Sequence, residues 1–253
     1  MCELLGLAFN EPVTVGISFR AFRHRGAANP HGWGLAWFHD GQPEIRKEPA
    51  PAHKSDNLNA LLDKRISSNI FIGHVRYATW GARTVENTHP FRHDLHGRPV
   101  VFAHNGTLRD LPEPAHFRAR GQTDSEQALC LLLSWMQEEK VAFSDFPQIE
   151  QWLRRLNRHG EMNLLFSNGS ELFAYRDIKG YKGLCLTYRE APFGVIRLQD
   201  EDWTVDLSEV KKPSERGFII ATSPLTHEHW TDLRPGGLLV IRAGRAVYGD
   251  PRV

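Results

Sequence analysis

The sequence has few cysteines and no long hydrophobic run, and each absence excludes a class of protein. Three cysteines in 253 residues are too few, and odd in number, for a disulfide framework, so we expect a reducing compartment. No run of about 18 apolar residues could cross a bilayer, and no basic segment followed by an apolar one marks a signal peptide. These absences predict a cytoplasmic protein with no membrane partner.

Neither sign of charge is in excess. The chain carries 31 basic and 30 acidic residues, for a formal net charge of +1. Nucleic-acid-binding domains are typically strongly basic, so this balance predicts no nucleic-acid partner. The hydrophobic content of 41% is sufficient for one substantial core.

Phosphate-binding and metal-binding motifs are also missing. The sequence has no Gly-rich loop of the Walker or dinucleotide type. Among the histidines, neither the group His89, His93 and His96 nor the pair His227 and His229 has the cysteine or carboxylate spacing of a zinc site. We therefore predict no metal and no cofactor.

The sequence does contain many short strand patterns separated by Gly, Pro and Asn. Apolar runs and alternation predict strands over 2–9, 32–38, 69–77, 99–104, 162–167, 172–175, 184–188, 217–222 and 238–242. Amphipathic spacing predicts helices over 13–23, 58–66, 124–138 and 147–158, the third opened by a Thr123/Glu126 capping box. Strands occur in runs rather than in alternation with helices, which favours the α+β class, with antiparallel sheets covered by helices.

Cys2 is the most informative single residue. Removal of Met1 would leave one residue that carries both a thiol and a free α-amine. These groups titrate near ~8.5 and ~8, so the amine could take the thiol proton and activate the sulfur. The alternative is a small apolar residue that opens the first strand, and position alone favours this alternative, because buried inert cysteines outnumber catalytic ones.

Three further positions carry polar groups at strand or helix ends. Arg76 could bind a carboxylate bidentately, although an arginine at a strand end is commonly only solvated. Asn105 and Gly106 follow the predicted strand 99–104 and indicate either a tight turn or two donors for an oxyanion. Asp124, in the first helical turn, could complement the helix dipole or bind an ammonium group.

In their order along the chain, these residues resemble the class-II glutamine amidotransferases of the N-terminal-nucleophile (Ntn) hydrolase superfamily. The matching segments are Cys2, His24-Arg25-Gly26, 74–79, His104-Asn105-Gly106 and 123–126. The segment 29–38 is similar to the stand-alone YafJ-type branch. The resemblance implies the Ntn-hydrolase fold, a four-layer αββα sandwich of two stacked antiparallel sheets between helical layers. It also implies a single glutamine amidotransferase type-2 domain over residues 1–253.

The resemblance assigns a role to individual residues. Cys2 would attack the side-chain amide of glutamine to form a thioester, while Asn105 and Gly106 bind the oxyanion. Arg76 would bind the substrate carboxylate and Asp124 its ammonium group. Tyr77 and Thr79 complete the implied substrate-binding set, and the supporting residues are Arg25, Gly26, Gly34 and His104.

Two features leave the reaction open. Trp80 stands where related amidotransferases usually have a histidine, so the pocket could differ in shape or in substrate. Such enzymes normally pass ammonia to a synthase, so we expect either a separate synthase subunit or a plain amidohydrolase. One alternative is a hydrolase of a γ-glutamyl amide of a small metabolite, similar to the enzyme that trims a γ-glutamyl group in ergothioneine synthesis. The other alternative is a catalytically silent module that binds glutamine and regulates a partner.

Overall fold

Fifteen strands and four α-helices make up the computed structural model, which describes residues 2–78 and 80–251. The strands are β1 (Glu3–Thr14), β2 (Trp33–His39), β3 (Gln42–Glu48), β4 (Ser67–Val75), β5 (Phe91–Leu95), β6 (Arg98–Leu108), β7 (Gly160–Ser167), β8 (Glu171–Tyr175), β9 (Cys185–Arg189), β10 (Val195–Arg197), β11 (Thr204–Asp206), β12 (Gly217–Ala221), β13 (Thr231–Asp232), β14 (Leu238–Arg242) and β15 (Arg245–Tyr248). The helices are α1 (Gly16–Arg23), α2 (Asp56–Asp63), α3 (Asp124–Glu138) and α4 (Phe146–Asn157). Within the described residues, no helix is long and apolar enough to cross a bilayer.

Two antiparallel sheets form the centre of the fold. The first has seven strands in the order β13-β9-β12-β1-β4-β2-β3, and the second has six in the order β15-β14-β8-β7-β6-β5. A separate hairpin, β10-β11, is formed by the chain between β9 and β12. β1 is the central strand of the first sheet, β6 lies next to the edge strand β5 of the second, and the two strands contact each other where the sheets stack.

The side-chain alternation of the strands explains the layering. In β1, Leu5 and Leu7 pack towards α1 and α2, whereas Leu4 packs between the sheets. In β6, Phe102 packs towards α3 and α4, whereas Val101 packs between the sheets. Successive side chains of a strand point to opposite faces, so each of these strands is buried on both sides. The resulting order of layers is α1/α2, seven-stranded sheet, six-stranded sheet, α3/α4, which confirms the predicted four-layer αββα sandwich.

The helix predictions were wrong at two N-termini and at one C-terminus, where α2 ends at Asp63 rather than at residue 66. The first helix begins at Gly16 rather than at residue 13, because Val13 and Thr14 prolong β1 and pair with β4 beyond a register shift. The second begins at Asp56 rather than at residue 58, because Ser55 caps it by accepting a hydrogen bond from the Leu58 N–H at 3.1 Å. Six strands were not predicted, namely β3, β5, β10, β11, β13 and β15.

Asn105 and Gly106 do not form the tight turn that their sequence favours. They continue β6 to Leu108, paired with Asn163 and Met162 of β7. Gly106 has φ +155°, and a Cβ there would lie 2.0 Å from the carbonyl oxygen of Glu161. The glycine is therefore required by the close approach of β7 rather than by a chain reversal.

Candidate functional site

Cys2 lies at the N-terminal end of β1, beside the end of β4. Its neighbour Glu3 pairs with Val75, and the Cys2 Sγ accepts a hydrogen bond from the Tyr77 N–H at 3.1 Å. The Sγ also lies 3.3 Å from the Tyr77 carbonyl oxygen, to which the thiol can donate. Burial raises the pKa of the Cys2 thiol, and the Tyr77 hydrogen bond and the positive charge of Arg76 act in the opposite direction. The sulfur is held between the N–H and the carbonyl of one residue.

Arg76 is buried and, in the described part of the chain, pairs with no carboxylate. Its guanidinium donates hydrogen bonds to the carbonyl oxygens of Trp80 at 2.9 Å and Ala82 at 3.2 Å. Burial lowers the pKa of Arg76, against which the negative charges of Cys2 and Asp124 act. Within residues 2–78 and 80–251, these two carbonyls are its hydrogen-bond partners, whereas buried charges are normally paired with an opposite charge.

Asp124 opens α3, on the side of the site formed by the end of β6. Its Oδ2 accepts a hydrogen bond from the Leu108 N–H at 2.7 Å, and residues 2–78 and 80–251 supply no ion-pair partner. The predicted cap is present, because the Thr123 Oγ1 accepts from the Glu126 N–H at 3.3 Å. The Glu126 carboxylate does not close the capping box, since it binds the Gly121 N–H at 2.8 Å and His93 at 3.1 Å. Asp124 is thus a carboxylate fixed by the Leu108 N–H, and among the described residues no cation lies within ion-pair distance of it.

Asn105 presents a buried donor. The residue is 1% exposed, and its Nδ2 has no hydrogen-bond partner among the atoms that the structure describes. An unsatisfied buried polar group costs about 1–3 kcal/mol, so it is retained where a ligand satisfies it. The Nδ2 of Asn105 is therefore a candidate donor to a bound oxygen.

His104 joins three elements of the site. Its ring contacts the Ser125 Oγ of α3 at 2.9 Å and the Glu161 carbonyl of β7 at 3.1 Å. The His104 carbonyl oxygen lies 3.2 Å from the ring Nε2 of His74, which is on β4. Because His104 directly precedes Asn105, these contacts hold the Asn105 backbone relative to both β4 and α3.

The other supporting residues occupy less direct positions. Arg25 forms an ion pair with Asp200 at 2.7 Å and donates to the Ser223 Oγ at 2.8 Å, so its guanidinium binds the segment 200–224. A Cβ at Gly26 would lie 2.9 Å from the Ala52 Cβ, and one at Gly34 would lie 2.0 Å from the His89 carbonyl oxygen. Both glycines therefore permit close packing of the backbone. Thr79, predicted to bind substrate, lies outside the described residues.

Sequence analysis missed His31. Its Nδ1 accepts a hydrogen bond from the Ala78 N–H at 2.9 Å, and its ring packs on Tyr77 with centroids 4.9 Å apart. The segment 29–38 around His31 contributed only its similarity to the stand-alone branch. Tyr77 is 41% exposed and Trp80 is 73% exposed, so these two aromatic rings lie at the outer rim of the site.

A pair of buried histidines lies behind the site. The rings of His74 and His89 are 4.1 Å apart, and neither ring nitrogen of His89 has a partner among the described atoms. Burial lowers the pKa of His74 to about 3 and holds that of His89 well below its usual value. Both rings are therefore neutral at physiological pH.

The chain is similar to known proteins in both sequence and structure. The sequence model of the family described as glutamine amidotransferases class-II matches residues 1–251. An uncharacterized protein of Methanocaldococcus jannaschii is 40% identical over the whole chain and 72% of its own length. YafJ of Escherichia coli, provisionally named a glutamine amidotransferase, is 35% identical over 93% of this chain and 95% of its own.

A solved structure has the same fold. The crystal structure of a predicted glutamine amidotransferase from Pseudomonas aeruginosa superposes with a TM-score of 0.73 at 29% identity, covering 98% of this chain and all of that one. A longer relative, the amidophosphoribosyltransferase of Methanothermobacter thermautotrophicus, is 26% identical over 98% of this chain but only 48% of its own length. With a family match over nearly the whole sequence, the chain belongs to the class-II glutamine amidotransferases.

Proposed function

We propose that this protein hydrolyses the side-chain amide of glutamine through a thioester on Cys2. The observation that carries the proposal is the pair formed by Arg76 and Asp124. One is a buried cation and the other a fixed carboxylate, and neither has an ion-pair partner in the described part of the chain. Glutamine carries a carboxylate and an ammonium group on one carbon, so its head group supplies both missing partners.

The proposed reaction uses Cys2, at the start of β1, and Asn105 and Gly106, in β6. Once Met1 is removed, the α-amine of Cys2 takes the thiol proton, and the thiolate forms a bond to the amide carbon. Asn105 and Gly106 donate to the oxyanion of the tetrahedral intermediate. The carbon–nitrogen bond then breaks, ammonia leaves with the proton held by the α-amine, and water hydrolyses the thioester to glutamate. Tyr77 and Thr79 belong to the proposed substrate-binding set.

The fate of the ammonia is a second proposal. The longer relative named an amidophosphoribosyltransferase carries additional chain beyond the region matched here, which supports transfer of ammonia to a synthase. For this chain, we propose that a separate synthase subunit receives it. A γ-glutamyl amide of a small metabolite would use the same residues and change only the leaving group.

The test combines intact mass, labelling and turnover. Mass spectrometry first establishes that Met1 is lost, and the protein is then treated with 6-diazo-5-oxo-L-norleucine, a glutamine-mimicking electrophile, and mapped by peptide. We expect one adduct, on Cys2, together with ammonia release from glutamine that Cys2→Ala abolishes.

Cys185→Ala is the matched control, because Cys185 is buried in β9 and burial raises its pKa to about 12. Activity on a γ-glutamyl amide but not on glutamine would favour the second substrate. Labelling at a residue other than Cys2 contradicts the proposed enzyme and supports a silent module. So does a Cys2→Ala protein that keeps both its affinity for glutamine and its regulatory effect on a partner.

A further inference from the structure

Asn87 is a buried side chain to which the proposed reaction assigns no role. It lies in the segment 80–88, called here the 80–88 loop, which follows β4 and Arg76 along the chain. The residue is 3% exposed, and both ends of its amide are paired. Its Nδ2 donates to the Ala82 carbonyl oxygen at 3.1 Å, and its Oδ1 accepts from the Gln122 N–H at 2.7 Å. A buried amide paired at both ends fixes the two segments that it joins.

One end of the Asn87 amide holds a carbonyl that also binds Arg76. The Ala82 carbonyl oxygen accepts from the Asn87 Nδ2 at 3.1 Å, the Arg76 Nη1 at 3.2 Å and the Thr84 N–H at 3.0 Å. A Cβ at Gly81 would lie 3.3 Å from the Asn87 Nδ2 and 3.6 Å from the Arg76 Nη2. The Asn87 amide and the Arg76 guanidinium therefore lie against the same turn of the 80–88 loop.

The other end of the Asn87 amide holds the segment that leads into α3. Gln122, whose N–H it binds, stands two residues before Asp124, the first residue of α3. The Gln122 Oε1 in turn lies 3.5 Å from the Ala82 backbone nitrogen. A Cβ at Gly121 would lie 2.5 Å from the Asn87 Oδ1, so the glycine permits this close approach. Asn87 thus fixes the start of α3 against the 80–88 loop.

These contacts connect the two charged groups of the proposed substrate site. They run from the Arg76 guanidinium through the Ala82 carbonyl and the Asn87 amide to the Gln122 backbone. The carboxylate and the ammonium group of an α-amino acid are attached to one carbon, so their separation is fixed. A site that binds both must therefore hold its own two groups at a matching separation.

We propose that Asn87 is a positioning residue, which sets the spacing between Arg76 and Asp124 and thereby selects substrates that carry both charges of an α-amino acid head group. Asn87 acts through the 80–88 loop and the start of α3 rather than on the substrate itself. This role rests on the proposed function, in which Arg76 binds the carboxylate and Asp124 the ammonium group.

Asn87→Ala tests the assignment, because it removes both ends of the amide. The quantity to measure is the ratio of kcat/KM for glutamine to kcat/KM for glutaramic acid, its analogue without the amino group. Glutaramic acid has one charged group and can follow a displaced Arg76, whereas glutamine has to meet Arg76 and Asp124 together. We expect the ratio to fall by at least about fivefold. Loss of folded protein lowers both values equally and leaves the ratio unchanged.

Asn168→Ala is the matched control. Asn168 is also buried, and its Oδ1 accepts from the N–H groups of Ser170 at 3.0 Å and Glu171 at 2.9 Å, between β7 and β8. The control should therefore lower Tm and leave the ratio within about twofold of the wild type.

A double-mutant cycle separates spacing from a general loss of binding. In the Asp124→Asn background there is no second charged group to be spaced. Adding Asn87→Ala to that background should therefore change kcat/KM for glutamine by less than about threefold.

The outcomes distinguish this role from the proposed function. A wild-type protein that hydrolyses neither glutamine nor a γ-glutamyl amide overturns both. If it acts only on γ-glutamylmethylamide, the ratio is measured with that amide and its glutaryl counterpart. An active wild type whose ratio Asn87→Ala leaves unchanged overturns the role of Asn87 alone. A ratio that falls equally in Asn168→Ala, or a full effect of Asn87→Ala in the Asp124→Asn background, also overturns it.

Discussion

Asn105 and Asn163 are cross-strand partners in β6 and β7, yet their side-chain amides have opposite surroundings. Asn163 uses both ends of its amide, donating to the Tyr181 carbonyl at 2.6 Å and accepting from the Asp177 N–H at 2.9 Å. The Asn105 Nδ2 is equally buried and has no partner among the described atoms. An amide with both ends satisfied fixes a loop, whereas an unsatisfied donor is available to a ligand. Substitution of Asn105 should therefore lower activity, whereas substitution of Asn163 should lower stability.

Asn105→Ala should lower activity strongly without unfolding the protein. We expect kcat for glutamine hydrolysis to fall by ~10²- to 10³-fold, the effect of losing one oxyanion donor, with KM and Tm nearly unchanged. Asn163→Ala should instead lower the free energy of unfolding by roughly 2–4 kcal/mol, because it removes two buried hydrogen bonds. Asn57→Ala, at an exposed position of α2, is the neutral control. A fall in affinity alone at Asn105→Ala, with kcat unchanged, would assign this amide to binding.

Gly106→Ala should destabilise the fold and inactivate the protein. A Cβ at residue 106 would lie 2.0 Å from the Glu161 carbonyl oxygen, whereas one at Gly41, which also has positive φ, meets nothing within 4 Å. Gly41→Ala therefore measures backbone strain alone, which costs about 1–2 kcal/mol. We expect Gly106→Ala to lower the free energy of unfolding, measured by urea denaturation, by clearly more than this cost. Equal losses in the two variants would mean that β7 moves away without penalty.

The layer architecture could be predicted from the sequence because both faces of strands such as β1 and β6 are apolar. Leu4 and Leu5 in β1, like Val101 and Phe102 in β6, point to opposite faces, and each face has its own core. Short edge strands such as β13, with two residues, carry no such periodic pattern and were missed. Pairing with a neighbour forms these strands, and that neighbour is remote in sequence.

The site was predictable in its residue types but not in its local geometry. Asn-Gly is a strong turn signal, so nothing local could show that Gly106 is needed for a close approach by β7. Arg76 was expected to face a ligand, and the structure adds that it already binds the Trp80 and Ala82 carbonyls. His31 reaches the site through tertiary contacts with Ala78 and Tyr77, which leave no pattern in the sequence.

Asp124→Asn should weaken recognition of the substrate ammonium group. A hydrogen bond to a charged group contributes about 1.5–3 kcal/mol, so we expect kcat/KM for glutamine to fall by roughly 10- to 150-fold. Glutaramic acid, which is glutamine without its amino group, should be used equally well by wild type and variant. Asp110→Asn, at an exposed loop position, is the control. Equal losses on both substrates would contradict an ammonium contact.

Acid should destabilise the protein through the buried histidines. An unfolded histidine titrates near ~6.5, whereas burial lowers the pKa of His74 to about 3 and that of His89 well below its usual value. Between these pH values the unfolded chain binds more protons, so the stabilisation is complete above the unfolded pKa and is lost as the pH falls. Each histidine should contribute a slope of about 1.4 kcal/mol per pH unit within this window.

Urea denaturation between pH 7.5 and 4 measures that slope. His89→Phe keeps an aromatic ring against His74 and Phe91 and removes one titrating group, so the slope should decrease. His39→Gln, at an exposed position, should leave it unchanged. An identical slope in His89→Phe and wild type would show that other groups cause the acid sensitivity.

The reactivity of Cys2 should depend on pH in a direction set by its surroundings. Burial raises the pKa of its thiol, and the Tyr77 hydrogen bond and the Arg76 charge act against that rise. Because the thiolate is the reactive form, iodoacetamide alkylation of Cys2 should accelerate from pH 7 and still be accelerating at pH ~9.

Arg76→Gln should shift this profile to higher pH, while Arg46→Gln on the exposed face of β3 should not. Cys130 and Cys185 should stay unlabelled throughout, since burial raises the pKa of each to about 12. A profile that levels off below pH 8, or one that Arg76→Gln leaves in place, would mean that neither burial nor Arg76 controls the nucleophile.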